Sequence, residues 1–177
     1  MSEWLPENYE IPSEPSKYLR WGQGDNVFRV MTRPIVGYEW WEDKMPHRVK
    51  VKAEVPKEVW NNGQAPKHFW AMVVYNPTDD CFQVCEITQK TIQEAVKSLA
   101  TDPDWGDPTG YDIVVTRKGE DLNTEYTIRA KPKKALTDAV RKRYKDFTCD
   151  LTALYRGDDP FSVEVEDAEA EKEELPF

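Results

Sequence analysis

Residues 47–55, HRVKVKAEV, alternate without a break. Val49, Val51, Ala53 and Val55 fall on one side; Arg48, Lys50, Lys52 and Glu54 fall on the other. A period of two predicts a half-buried strand, because successive side chains of an extended backbone point to opposite faces. NVFRVM (26–31) and PIVGYEWW (34–41) are rich in β-branched and aromatic residues and also predict strands, with Pro34 and Gly37 marking a bend or bulge. A Pro/Asn/Gly stretch at 56–66 predicts a loop. KHFWAMVVY (67–75) and CFQVCEI (81–87) flank NPTDD, a hairpin connection.

The period then changes. In TQKTIQEAVKSLA (88–100), Ile92, Ala95, Val96 and Leu99 recur at helical spacing, and Thr91 with Glu94 fits a capping box. DPDWGDPTG predicts a loop. YDIVVTRKG and TEYTIRAK predict a second hairpin around GEDLN. Leu136, Ala139, Val140, Tyr144 and Phe147 mark one face of a last helix in KKALTDAVRKRYKDF. The order is mainly β and fits an OB-fold-like small β-barrel, with a helix between its third and fourth strands, a C-terminal helix and one surplus strand.

Charge divides the chain. The whole sequence of 177 residues carries −9, yet residues 158–177 hold −8 and residues 1–15 hold −4. Residues 16–157 are left with +3, so a mildly basic body sits between two acidic ends. Residues 1–16, with three prolines, read as a flexible acidic arm from which Trp4 and Tyr9 can dock on the body. Residues 17–157 read as the folded domain, and 158–177 as a disordered acidic tail. Three cysteines, an acidic start and no apolar run long enough to span a bilayer point to a reducing cytoplasm.

No pattern points to a metal, a cofactor or a catalytic step. Cys81 and Cys85 are spaced C-x-x-x-C, but on a strand they stand roughly 13 Å apart, and zinc needs ligands at about 2.3 Å. There is no phosphate-binding G-x-x-x-x-G-K-[ST] loop and no H-E-x-x-H. His47 and His68 each sit beside a basic residue at a strand start, as surface residues do.

Basic and aromatic residues say more. Single-stranded nucleic acid is held by cations that follow its phosphates and by rings on which bases stack. Arg48, Lys50 and Lys52 share one strand face. Thr127, Arg129 and Lys131 share another, opposite Tyr126, Ile128 and Ala130. Arg117 and Lys118 end the preceding strand, and Arg29 and Arg33 flank the first. Any one row is also what a solvated sheet face looks like; several rows in a net-positive body favour binding. Phe69, Val73 and Tyr75 face one way, and Trp70, Met72 and Val74 the other, so one set is core. Phe82 shares its face with Glu86, and one of Trp40 and Trp41 faces outward. Trp40, Phe69, Tyr75 and Phe82 are the stacking candidates.

Two stretches carry a resemblance. YLRWGQGDNVFRVMTRPIVGYEWW (18–41), with Gly24–Arg29 at its core, resembles the opening of tailed-phage single-stranded DNA-binding proteins. Residues 67–132, with E-I-T-Q-K, W-G-D-P and T-R-K-G motifs, are similar to the central block of such phage proteins. Together they cover about half the chain. The Cys/His zinc ribbon of related helix-destabilising proteins has no counterpart here. Bacterial and phage single-stranded DNA-binding proteins end in an acidic tail tipped by an aliphatic residue, Pro and Phe, and Leu175, Pro176 and Phe177 match that tip behind Glu169, Glu171, Glu173 and Glu174.

The resemblance implies a protein that coats single-stranded DNA in phage replication or recombination. It implies replication or recombination partners docking on Leu175, Pro176 and Phe177, and it leaves homo-oligomerisation open. Two other classes fit the residues: an RNA- or host-protein-binding module whose acidic ends mimic nucleic acid, and a metal-dependent nuclease built from scattered acids.

Overall fold

The computed structural model describes residues 4–10 and 16–162. Its strands are β1 (Tyr18–Leu19), β2 (Gly24–Val30), β3 (Ile35–Glu42), β4 (Met45–Val49), β5 (Lys67–Asn76), β6 (Cys81–Ile87), β7 (Asp112–Lys118) and β8 (Glu125–Ala130). The helices are α1 (Lys57–Asn61), α2 (Lys90–Thr101), α3 (Asp138–Asp146) and α4 (Ala153–Arg156). The fold is mainly β. All eight strands belong to one mixed sheet that is not closed into a barrel. The path is β1-β6-β5-β2-β7-β8, with β3 on β5 and β4 on β3. Only the β1–β6 pairing is parallel. No helix of the described residues is long and apolar enough to cross a membrane.

The centre of the sheet is one interrupted line. β2 and β3 both run antiparallel to β5, with Val30 opposite Val74 and Ile35 opposite Ala71. Residues 31–34 therefore face only Met72 and Val73, a bulge that turns the line where Pro34 has no N–H to give. Val73 holds it from both sides: its carbonyl accepts from Met31 N at 2.9 Å, and its N–H donates to Thr32 Oγ1 at 3.0 Å. The expected bend lies here.

Both faces of β5 are buried, which is why its sequence is a near-continuous apolar run. Met72 and Val74 join Phe28, Val30, Cys85, Ile87, Tyr111, Ile113 and Val115 on the inner face, capped by Ile92 and Val96 of α2. Phe69, Ala71, Val73 and Tyr75 join Val84 on the outer face, covered by Val140, Cys149, Leu151 and Leu154. The two rows separate as expected, but both are core. Helix α2 packs against β8, and β6 and β8 do not pair.

Three expectations change. The alternation at 47–55 is a strand only to Val49; residues 52–54 form a 3-10 turn. Val51 is exposed, and Val55 turns in against Trp40 with Val59, so the four apolar positions do not share one burial target. The Thr91–Glu94 box does not form, because Gln89 is the N-cap and Thr91 lies inside α2. Instead Gln93 Nε2 ties the helix down by donating to Ile87 O at 2.8 Å and His68 O at 3.2 Å. The helix expected last is α3, which begins only at Asp138, where the Thr137 hydroxyl caps it by accepting from Val140 N; the short α4 follows it. Residues 133–136 precede α3 without regular secondary structure.

Gly37 is where only glycine fits. A Cβ there would lie 2.1 Å from Val49 O and 3.0 Å from the Phe69 ring. Gly37→Ala is expected to push β4 off β3 and cost more than about 2 kcal/mol. A denaturant midpoint matching the wild type would contradict this.

Candidate nucleic-acid interface

The structure scatters the cations that the sequence grouped. Arg29 is buried, ion-paired to Asp112 at 2.8 Å, and donates to Thr109 O at 3.2 Å. Arg48 lies between Glu86 at 2.8 Å and Glu39 at 3.3 Å. Arg117 donates to Trp21 O, and Arg129 pairs with Asp25 at 3.2 Å. Lys50 and Lys52 lie beyond the end of β4, over the rings of Tyr155 and Trp60, so Arg48, Lys50 and Lys52 do not form one basic row. Arg33, Lys118 and Lys131 remain exposed and make no ion pair among the described residues.

The stacking candidates are enclosed. Phe69 is 0 % exposed, and Trp40 and Tyr75 are each 8 % exposed. Tyr75 also donates its hydroxyl to Asp80, and burial first, then that carboxylate, pushes its pKa up to about 12. Phe82 points to the outer face as its alternation requires, but Tyr144 and Phe147 cover it at 5.4 and 5.2 Å. The segment from α3 to Phe161 buries this whole aromatic face. Of the two adjacent tryptophans it is Trp41, 54 % exposed, that faces out. Trp40 packs on Val55 and Val59, and Trp4 and Tyr9 are exposed.

A different surface gathers positive charge. After β8 the chain is pinned by Lys131 N donating to Asp112 O at 2.9 Å and Lys134 N donating to Gly110 O at 3.1 Å. It then turns into α3. Between residues 133–136 and α3 lies a groove of about 670 Å³. Its floor includes Val30, Met31, Ala135 and Leu136, and Tyr144 stands at its wall. Arg29, Lys133, Lys134, Arg141 and Lys145 line it, and among the described residues no carboxylate does. Arg141 pairs with Asp138 beside it. Lys133, Lys134 and Lys145 are exposed and make no ion pair among the described residues. Of the groove's cations Arg29 was named from the sequence, while Lys133, Lys134, Arg141 and Lys145 were missed. Their signal was a charge run: residues 129–145 hold eight bases and one acid.

A second groove, about 770 Å³, lies between β1, the β3–β4 hairpin and the end of α4. Tyr18, Trp21, Trp41 and Phe161 line it, but its charge is balanced, with Lys17, Arg20 and Arg48 against Glu86, Asp158 and Asp159. Beneath it Glu39 is 5 % exposed. Burial, then the hydrogen bond and charge of Glu86, raise its pKa to about 8 despite Arg48. At neutral pH the Glu39–Arg48–Glu86 cluster therefore holds a proton.

Among the described residues no group of three His, Cys, Asp or Glu is placed to hold a metal ion. Cys85 is buried, which pushes its thiol pKa up, and Cys81 is half-buried. His68 Nδ1 lies 2.9 Å from Gly37 O. Leu175, Pro176 and Phe177 lie outside the described residues. Comparison of the chain with protein-family models, curated proteins and solved structures gives no match.

Proposed function

We propose that this chain binds single-stranded DNA with low sequence specificity and has no catalytic step of its own. The observation that carries the reading is the basic tract at 129–145, folded around a groove that no carboxylate of the described residues lines. Concentrated, unpaired lysines beside an apolar floor suit a ligand that offers phosphates along its length and bases between them. The sheet order supports the same reading. The path from β6 through β5, β2 and β7 to β8, with α2 inserted between β6 and β7, is one that a partly open OB-type arrangement can have. In this reading β1, β4 and the C-terminal segment are additions to that arrangement.

The setting follows from the resemblance: replication or recombination of phage DNA in a bacterial cytoplasm. Leu175, Pro176 and Phe177 would offer an anchor to partner proteins. The acids before them would compete with DNA for the basic groove.

The test is a titration followed by Trp fluorescence, using oligo-dT, duplex DNA and RNA, with and without Mg²⁺. Quenching by oligo-dT, with no cleavage, is expected. Three to six phosphate contacts predict an affinity loss of roughly tenfold to a few hundredfold between 50 and 200 mM salt. Salt-independent affinity, preference for RNA or duplex, or Mg²⁺-dependent cleavage would each overturn the reading.

A further inference from the structure

We infer that single-stranded DNA is held in the groove between residues 133–136 and α3, continuing across the β2–β3 bulge, and not on the aromatic face of β5 and β6. This rests on the DNA-binding reading above and fixes where the strand lies.

The groove does not end at the floor residue Val30. A neighbouring groove of about 430 Å³ has Val30 and Thr109 in its lining as well, so the two adjoin at the Pro108–Gly110 turn, and we take them as one trough. Beyond the shared residues the trough passes Thr32 and Pro34 of the bulge, has Trp70 in its wall, and is flanked by Arg33 and Lys97. Cations thus stand at both ends: Lys133, Lys134 and Lys145 at one, Arg33 and Lys97 at the other. Among the described residues the one carboxylate along it, Asp107, is engaged by Thr109, whose N–H and hydroxyl donate to it at 3.0 and 2.9 Å. Phosphates fit the two basic ends. Bases fit the apolar floor, with Tyr144 and Trp70 as the rings nearest it. A duplex, whose bases are turned inward, has nothing to place on that floor.

The competing face is closed by structure rather than by chance contact. Arg143 fastens α3 to the β5–β6 turn, donating to the Asp80 carboxylate at 2.6 Å and to its carbonyl at 2.7 Å. Tyr155 fastens the next segment by donating its hydroxyl to Val36 O at 2.5 Å. Opening the face would also unseat Val140, Leu151 and Leu154. The trough needs no such opening.

The experiment uses the full chain and a labelled oligo-dT, read by anisotropy across a salt series. It compares Lys133→Ala/Lys134→Ala/Lys145→Ala with Lys44→Asn/Lys57→Ala/Lys67→Ala, which removes the same charge from exposed positions outside the trough. The trough variant should bind at least tenfold more weakly, with a log K against log salt slope shallower by about 2. The control should stay within about threefold of wild type. Separately, photo-cross-linking of wild type to 4-thiothymidine-substituted oligo-dT should label Tyr144 or Trp70. That readout does not depend on any variant folding. Equal losses in the two variants, or cross-links at Tyr75 or Phe82, would overturn the placement while leaving DNA binding intact. Failure of wild type to bind oligo-dT would overturn both.

Discussion

Raising the pH from 5 to 9 is expected to lower the stability of the folded chain by about 2–4 kcal/mol through one group, Glu39. Its carboxyl has an ordinary value of 4.5 in the unfolded chain and about 8 in the folded one. Between those values the folded state holds a proton that the unfolded state releases. The stabilisation is therefore complete below pH 4.5, declines as pH rises, and is gone above pH 8. The cause is the burial of Glu39 beside Glu86, with one guanidinium shared between the two carboxylates. Part of the full effect is dissipated because the Glu86 side chain keeps 22 % of its exposure to water. Urea unfolding at a series of pH values measures this directly. Glu39→Gln, which keeps the shape and cannot ionise, should flatten the profile over this range. If Glu39→Gln retains the wild-type slope, another group is responsible. Arg48→Met removes the only cation of the cluster and should cost about 3–5 kcal/mol at pH 8, and less at pH 5.

A chain ending at Gly157 is expected to melt roughly 6–12 °C below one ending at Ser162, reflecting about 3 kcal/mol. Charge places the start of the acidic tail at residue 158, but residues 158–162 belong to the packed body. Pro160 is buried, and its carbonyl accepts from Asp150 N at 2.7 Å. Phe161 sits edge-on to Tyr18 at 5.6 Å and to Phe147 at 6.3 Å, with Lys17 over its ring. Cutting before these residues orphans the Asp150 N–H, strips Phe147 of one of its ring contacts and loosens β1 from the sheet. Cutting after Ser162 removes none of these contacts. Calorimetric melts of the two chains decide the point, and equal melting temperatures would refute it. The role proposed for the acids is best read from the longer of the two chains. Loss of 163–177 alone should tighten oligo-dT binding most at low salt, if those acids compete with DNA.

Much of the fold was legible because local patterning and tertiary burial agree there. Both hairpins, α2 and the two-row alternation of β5 follow from periodicity, and the alternation of β8 does too: Thr127 and Arg129 are exposed, while Tyr126, Ile128 and Ala130 turn inward. The site was less legible. Phe69, Tyr75 and Phe82 do share a face, but alternation cannot say that the chain returns 60 or more residues later to cover it. Arg29 and Arg48 look like surface cations until Asp112 and Glu86 arrive from strands distant in sequence, and Glu39 sits opposite Arg48 across the β3–β4 hairpin. Lys133 and Lys134 look like the start of a helix. They stay outside the helix, with Lys134 N claimed by Gly110 O, 24 positions earlier, and that bond is what turns a charge run into a groove wall.

The strand order also sets a schedule for synthesis. β2 sits mid-sheet between β5 and β7, yet it leaves the ribosome well before either. Its Gly24–Arg117 pairing closes only when β7 has been made, roughly 5–20 s later at usual elongation rates. During that interval one edge of β2, with Val27 and Phe28 along it, has no neighbour. The nascent chain is thus most exposed to mispairing and to chaperone capture before residue 118, and a pause in translation upstream of β7 should lower the yield of folded protein more than one placed after it.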